Sequence, residues 1–456
     1  VPEVAKIEKK WEELTPEEKQ EELFNRWLSP KDPEGKDLKF QSPQAKKAYK
    51  ERVTRIKDAI QLKKLPDRVP VIPVLGFFPD VYTGITPQEA MYDYDKLAKA
   101  GKKYALDFEP DVSAGIGIAT PGRVFDILDY KLYAWPGHGV SPNHSYQCLE
   151  KEYMMADEYD ALIQDPSYFF TSIYLPRIFG KLEAFKKLRN LTNIQEMPCV
   201  GPYITPFGDA DVQAAYQALF QAGNEAKRWS KVVGDFGKEM ASLGFPSGSA
   251  GFTKAPFDVL GDTLRGTRGI MLDIYRQPDK ILEALEVITP LVIDAGVAAA
   301  KASGKPLVTI PLHKGADGFL SDAQFKKFYW PCFKKLLIGL INQGCVPVSF
   351  VEGGYNSRLE VIRDVPRGTT YWTFDATDMA KAKKILGDVA CIGGNVPNDL
   401  LSIGTPEQVK EYVKKLIDTC GQGGGYIVAN GVSADNAKPE NMKAMIDSTK
   451  EYGIYK

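Results

Sequence analysis

The sequence predicts an α/β fold: a single (β/α)8 TIM-type barrel with a helical N-terminal extension and long insertions after the second and third strands. Three observations carry this. Short apolar runs recur from residue 68 onward, each followed by a helical stretch. The runs are rich in Val, Ile and aromatic residues and are bounded by Gly, Pro or Asn, as buried parallel strands are. Eight such runs can be counted, which points to a closed barrel rather than an open sheet.

Residues 1–65 form the extension, and residues 66–456 the barrel. The extension alternates charged and apolar positions at helical spacing. Thr15-Pro16-Glu17-Glu18 reads as a cap, a proline in the first turn and acids near the helix start. Such a segment packs on the barrel or on a second copy of the chain in a homodimer. The eight strands are expected at Val71–Gly76, Pro110–Gly115, Pro198–Tyr203, Leu307–His313, Val346–Glu352, Thr370–Asp375, Val389–Gly393 and Tyr426–Asn430. Helices are expected between the later strands at Ser321–Leu340, Ser357–Val365, Met379–Leu386 and Thr405–Cys420. The stretches 117–196 and 204–306 are too long for simple connections, and long ordered segments at a barrel mouth commonly shape substrate pockets.

Composition excludes several classes. With 58 basic against 59 acidic residues and a net charge of −1, nothing favours a nucleic-acid partner. No apolar run reaches the ~18 residues that a bilayer span needs. Val1–Glu13 is charged and helical in pattern, unlike a secretion signal. Six scattered cysteines without a C-x-x-C pair read as reduced thiols, hence a cytoplasmic protein. There is no P-loop, no H-E-x-x-H and no G-x-S-x-G, and Thr120 breaks the one incipient G-x-G-x-x-G.

Barrel chemistry sits where strands finish. His313, Glu352, Asp375, Asn395 and Asn430 stand at five consecutive predicted strand ends, flanked by Gly and Pro. His313 is the leading catalytic candidate, because imidazole titrates near neutrality. Glu352 and Asp375 are candidates to orient it or share its proton. Asn395 and Asn430 are candidates for binding substrate. Phe77, Phe78, Tyr133, Trp135, Tyr203 and Phe207 follow predicted strands or lie in the first insertion; each either lines a pocket for a planar substrate or packs in the core.

The C-terminal half carries a familiar pattern. Gly393-Gly394-Asn395-Val396-Pro397, Gly404-Thr405-Pro406-Glu407, Gly424-Gly425-Tyr426 through Gly431, and Lys438-Pro439-Glu440-Asn441 resemble the uroporphyrinogen decarboxylase superfamily. Gly315-Ala316-Asp317-Gly318-Phe319 and the following Phe328-Tyr329-Trp330-Pro331 resemble its fourth strand–helix unit. The resemblance implies an eight-stranded barrel. Porphyrinogen decarboxylases of that superfamily carry Met-Arg-Gln-Ala-Gly-Arg after the first strand. Here Gly76-Phe77-Phe78-Pro79-Asp80 stands there, without the arginines that grip a polycarboxylate. Thiol-methylating members hold zinc with His-x-Cys and a late Cys. His313 matches the first ligand, but Gly315 and Val432 replace the cysteines. A harder zinc site through His313 and Glu352 stays open, with no third ligand identified.

What remains is the branch that removes methyl groups from methoxylated aromatics. The insertion with Trp135 and the segment Tyr153–Asp160 resemble that group. The resemblance implies an O-demethylase that passes the methyl of a small aryl methyl ether to the cobalamin of a partner corrinoid protein docked at the barrel mouth. The competing readings are a corrinoid-linked methyltransferase for another donor, a decarboxylase-like lyase, and a corrinoid- or tetrapyrrole-binding chaperone.

Overall fold

The computed structural model describes residues 9–31 and 35–455. The expected pattern of Val1–Glu13 therefore lies mostly outside the described residues; within them, Trp11–Glu13 forms a short 3-10 turn. Six parallel strands pair in chain order: Gly251–Phe252, Leu307–Leu312, Val346–Val351, Tyr371–Phe374, Cys391–Gly393 and Tyr426–Ile427. Two extended segments close the ring. Val71 bridges Val428 in parallel, the Asp111 N–H reaches the Val71 carbonyl, and the Ser113 N–H reaches the Pro246 carbonyl. Eight staves thus surround one axis, as the sequence rhythm predicts.

The third stave is not where the apolar pattern put it. Pro198–Tyr203 lies within a helix, Met197–Ile204, none of whose residues is buried. The stave is instead the Gly- and Ser-rich stretch 246–252. A six-residue apolar run does not by itself tell strand from helix. The long insertion consequently runs from 115 to 245, all of it after the second stave. It carries a three-stranded sheet around Tyr133–Pro136 and the 33-residue helix Ala210–Ser242.

The bottom of the barrel is plugged by the N-terminal helices Pro16–Leu28 and Pro43–Gln61. Thr15 caps the first with the expected reciprocal bond to Glu18, and Ser42 caps the second. Phe24, Trp27, Val53, Ile56 and Ile60 pack against Leu307, Val346, Tyr371, Cys391 and Ile427, four of which begin their strands and the last of which ends a two-residue strand. Each such buried aliphatic contributes roughly 1.5–3 kcal/mol. Asp111, fully buried, accepts from Arg55, Arg68 and the Val71 N–H, tying the second helix to the first two staves. Among the described residues no helix is long and apolar enough to cross a membrane. All six cysteines are free thiols.

Candidate active site

Register sets the site. Leu312 pairs with Val351, and Val351 with Phe374, so the next residues, His313, Glu352 and Asp375, fall in one row at the mouth. His313 Nε2 lies 3.5 Å from Glu352 Oε1, and the histidine is 32% exposed. Its other nitrogen, Nδ1, lies 2.6 Å from Asp262 Oδ2. Asp262 comes from the helical segment after the third stave. Sequence reasoning missed it because that stave was assigned elsewhere.

The segment 256–264 holds Asp258 and Asp262 four residues apart, hence on one face. Asp258 is fully buried. It accepts the His313 and Lys314 backbone N–H groups at 3.0 Å each and the Tyr329 hydroxyl at 3.0 Å. These bonds fix the end of the fourth stave. Burial pushes the Asp258 carboxyl up to about 6, with the charge of Asp262 adding to it. Asp262 meets Lys254 Nζ at 2.8 Å and Lys314 Nζ at 3.3 Å. Burial works against its charge, but the His313 bond and the Lys254 charge prevail and hold it well below the usual carboxylate range. Burial likewise opposes a charged His313. The bonds to Asp262 and Glu352 outweigh it and raise the imidazole to about 10. At neutral pH the mouth therefore presents an imidazolium whose Nε2–H faces the half-exposed Glu352.

Asp258, Asp262 and His313 each offer one ligand atom, all within 4.8 Å of one another. This set does not fit zinc as arranged. Both Asp258 oxygens are spent on backbone and Tyr329, and Asp262 is already met by two ammonium groups and the imidazole. A dication there would face Lys254 and Lys314 at close range. Among the described residues, no set of three such ligands includes Glu352.

The other expected site residues separate. Asp375 accepts the Gly353 N–H. Asn395 donates to the Asp375 and Thr377 carbonyls. Asn430 is fully buried, taking the Val74 N–H and donating to the Val74 and Val432 carbonyls, so its amide staples the eighth stave to the first and has no capacity left for substrate. Phe78 packs among Tyr82, Tyr104 and Phe108 on the outer helices. Phe77 is buried beside Tyr146. Trp135 stacks on His138 inside the insertion and donates to Tyr92. Tyr203 touches Phe207 on the far helix of the insertion. The insertion does reach the site, through Tyr133 and its cross-strand neighbour Cys148. Burial raises both groups, and the Asp262 charge adds to each. The signal that could have revealed the missing partner is the Asp258/Asp262 pair, spaced for one helix face inside an apolar run.

Residues 245–452 match the sequence model of the Uroporphyrinogen decarboxylase (URO-D) family. That span holds Lys254, Asp258, Asp262, His313 and Glu352. Two uroporphyrinogen decarboxylases show the same similarity. That of Neisseria gonorrhoeae is 28% identical over 222 residues, covering 46% of this chain and 58% of the relative. That of Pseudoalteromonas translucida is 26% identical over 221 residues, covering 47% and 60%. The chain thus matches little more than half the length of these URO-D relatives. Among solved structures, a methyltransferase from Methanosarcina mazei superposes with a TM-score of 0.58 at 16% identity, over 88% of this chain and 98% of that one. The likeness to that structure is one of fold, an α/β barrel.

Proposed function

We propose that the protein is a methyltransferase that demethylates methoxylated aromatics. The observation that carries the reading is His313, held between Asp262 and Glu352 with its Nε2 side open to the mouth. An aryl methyl ether is a poor methyl donor because a phenoxide must leave. As the methyl–oxygen bond breaks, its electron pair goes to the oxygen. The Nε2 proton of His313 follows it, so phenol departs rather than phenoxide. An acid of about 10 is well matched, since a phenol ionises near the same value. Asp262 keeps the imidazole charged and oriented. Glu352, 46% exposed, links Nε2 to water for return of the proton. The acceptor in this reading is Co(I) of a corrinoid carried by a partner protein, which supplies the nucleophile. The exposed rim around Glu352 leaves it an approach.

The test is methyl transfer from guaiacol or vanillate to cob(I)alamin, followed by the phenol released. His313→Ala is expected to lower turnover by about 10²–10⁴-fold. Undiminished turnover removes His313 from the chemistry. A second reading, a decarboxylase-like lyase, is favoured by the URO-D match itself. Carbon dioxide release from a carboxylated substrate would support it. The absence of any arginine from residues 69–82 speaks against a polycarboxylate.

A further inference from the structure

Strand alternation exposes an aromatic well that the expected pocket residues do not form. On the third stave Gly251 and Thr253 face outward. A Cβ on Gly251 would lie 2.7 Å from the Ala299 Cβ, and Thr253 Oγ1 donates to the Val292 carbonyl at 2.6 Å, both on the outer helix Pro278–Ser303. Successive side chains of a strand take opposite faces, so Phe252 and Lys254 point into the barrel. The ammonium of Lys254 on Asp262 agrees with this. Phe252 is nonetheless 62% exposed.

The neighbouring staves repeat the pattern. Val308, Ile310 and Leu312 are fully buried on the outer face, whereas Thr309 and Pro311 between them keep some exposure. On the fifth stave Ser349 and Val351 are buried, and Val348 and Phe350 are partly open. Phe350 pairs with Pro311, and Phe252 with Thr309. A TIM-type barrel normally fills its interior with packed side chains. Here the inward faces of the third to fifth staves reach solvent, so the upper barrel is hollow on that side. Among the described residues, neither Phe252 nor Phe350 shows a ring–ring contact, although most of the aromatics named above stack on one another. Two residues beyond Pro311 and Phe350 on the same strands stand His313 and Glu352, with Lys254 reaching Asp262.

We propose that Phe252 and Phe350 form an aryl-ring subsite that seats a planar aromatic ring with its oxygen-bearing edge against His313 and Lys254. The inference rests on the demethylase reading and names its ring-binding wall. A flat apolar ring fits two unpartnered aromatic faces. The cationic edge above suits an ether or phenol oxygen, so the well orients the ring and the rim receives the charge.

The test measures guaiacol binding by calorimetry to the wild type, Phe252→Ala, Phe252→Leu and His313→Ala, beside the demethylation kinetics. The wild type is expected to bind guaiacol; His313→Ala, which keeps the ring wall but loses the contact to the oxygen, is expected to bind it more weakly than the wild type and to lose turnover. Phe252→Ala is expected to weaken binding at least tenfold and to raise KM more than it lowers kcat. Phe252→Leu should fall between. The side chain is mostly exposed, so melting temperatures should match the wild type and exclude misfolding as the cause. Unaltered guaiacol binding in Phe252→Ala, or no binding to the wild type, overturns the subsite. Binding that depends on Phe252 without any methyl transfer upholds the subsite and overturns the demethylase reading instead.

Discussion

In the proposed mechanism the acid, His313, depends on Asp262. Its hydrogen bond to His313 Nδ1 is the foremost contribution raising the imidazole against burial. In Asp262→Asn that contribution disappears, and the imidazole should fall back toward its ordinary value near 6.5. A general acid acts while protonated, so activity is lost as pH rises through its pKa. The alkaline limb of the kcat profile should therefore stand near pH 10 in the wild type and move acidward by more than one unit in Asp262→Asn. An unmoved limb would show that another group sets it. The same shift makes a stability statement. The folded value lies above the unfolded one, so the stabilisation is complete below about pH 6.5 and fades as pH climbs through about 10. Urea unfolding at pH 6 and pH 10 should show a larger loss for the wild type than for His313→Gln, which has no such proton to lose.

At the scale of elements, one buried carboxylate ties the second N-terminal helix to the barrel beside its apolar packing. Asp111 takes Arg55 from the helix, Arg68 from before the first stave and the Val71 N–H within it. Removing one partner of a buried pair strands the other charge, at a cost of about 3–5 kcal/mol. Asp111→Ala should lower the free energy of urea unfolding by that order. A change below about 1 kcal/mol would mean that the plug is held by apolar packing alone. Elements of this kind were unevenly legible in the sequence. The fourth to eighth staves read clearly because strands buried on both faces are nearly continuous apolar runs. The caps at Thr15 and Thr405 read clearly because their bonds are local. The third stave did not. Its residues are mostly Gly, Ser and Pro, and its packing comes from Ala299 and Val292, far along the chain. The helix Met197–Ile204 looked like a strand because it is apolar, yet Met197 is 86% exposed. That single exchange hid Asp258, Asp262, Lys254 and Phe252 together, since all four follow or form the misplaced stave. His313 and Glu352 were legible as strand ends, and their contact follows from register. A sequence does not show that the Asn430 amide is taken up by backbone, nor that Asn395 Nδ2 donates to the Asp375 and Thr377 carbonyls.

For the whole molecule, the two ends of the barrel divide the work. The bottom carries the plug of Phe24, Trp27, Val53 and Ile56 and the Asp111 network; the mouth carries Lys254, Asp262, His313 and Glu352. At the mouth Lys254, His313 and Glu352 are partly open, whereas the bottom groups are buried. The two clusters share no side chain. Changes at the two ends should then be independent. Lys254→Met is expected to lower kcat and to cost less stability than Asp111→Asn, because Asp262 keeps its contacts with His313 and Lys314. Asp111→Asn is expected to reduce stability while leaving kcat per folded molecule unchanged. In the double variant the unfolding free energies should add to within about 0.5 kcal/mol, and the kcat loss should equal that of Lys254→Met alone. A departure beyond that would mean that the plug and the mouth communicate through the staves, and that the N-terminal helices adjust the row of His313 and Glu352 as well as seal the barrel.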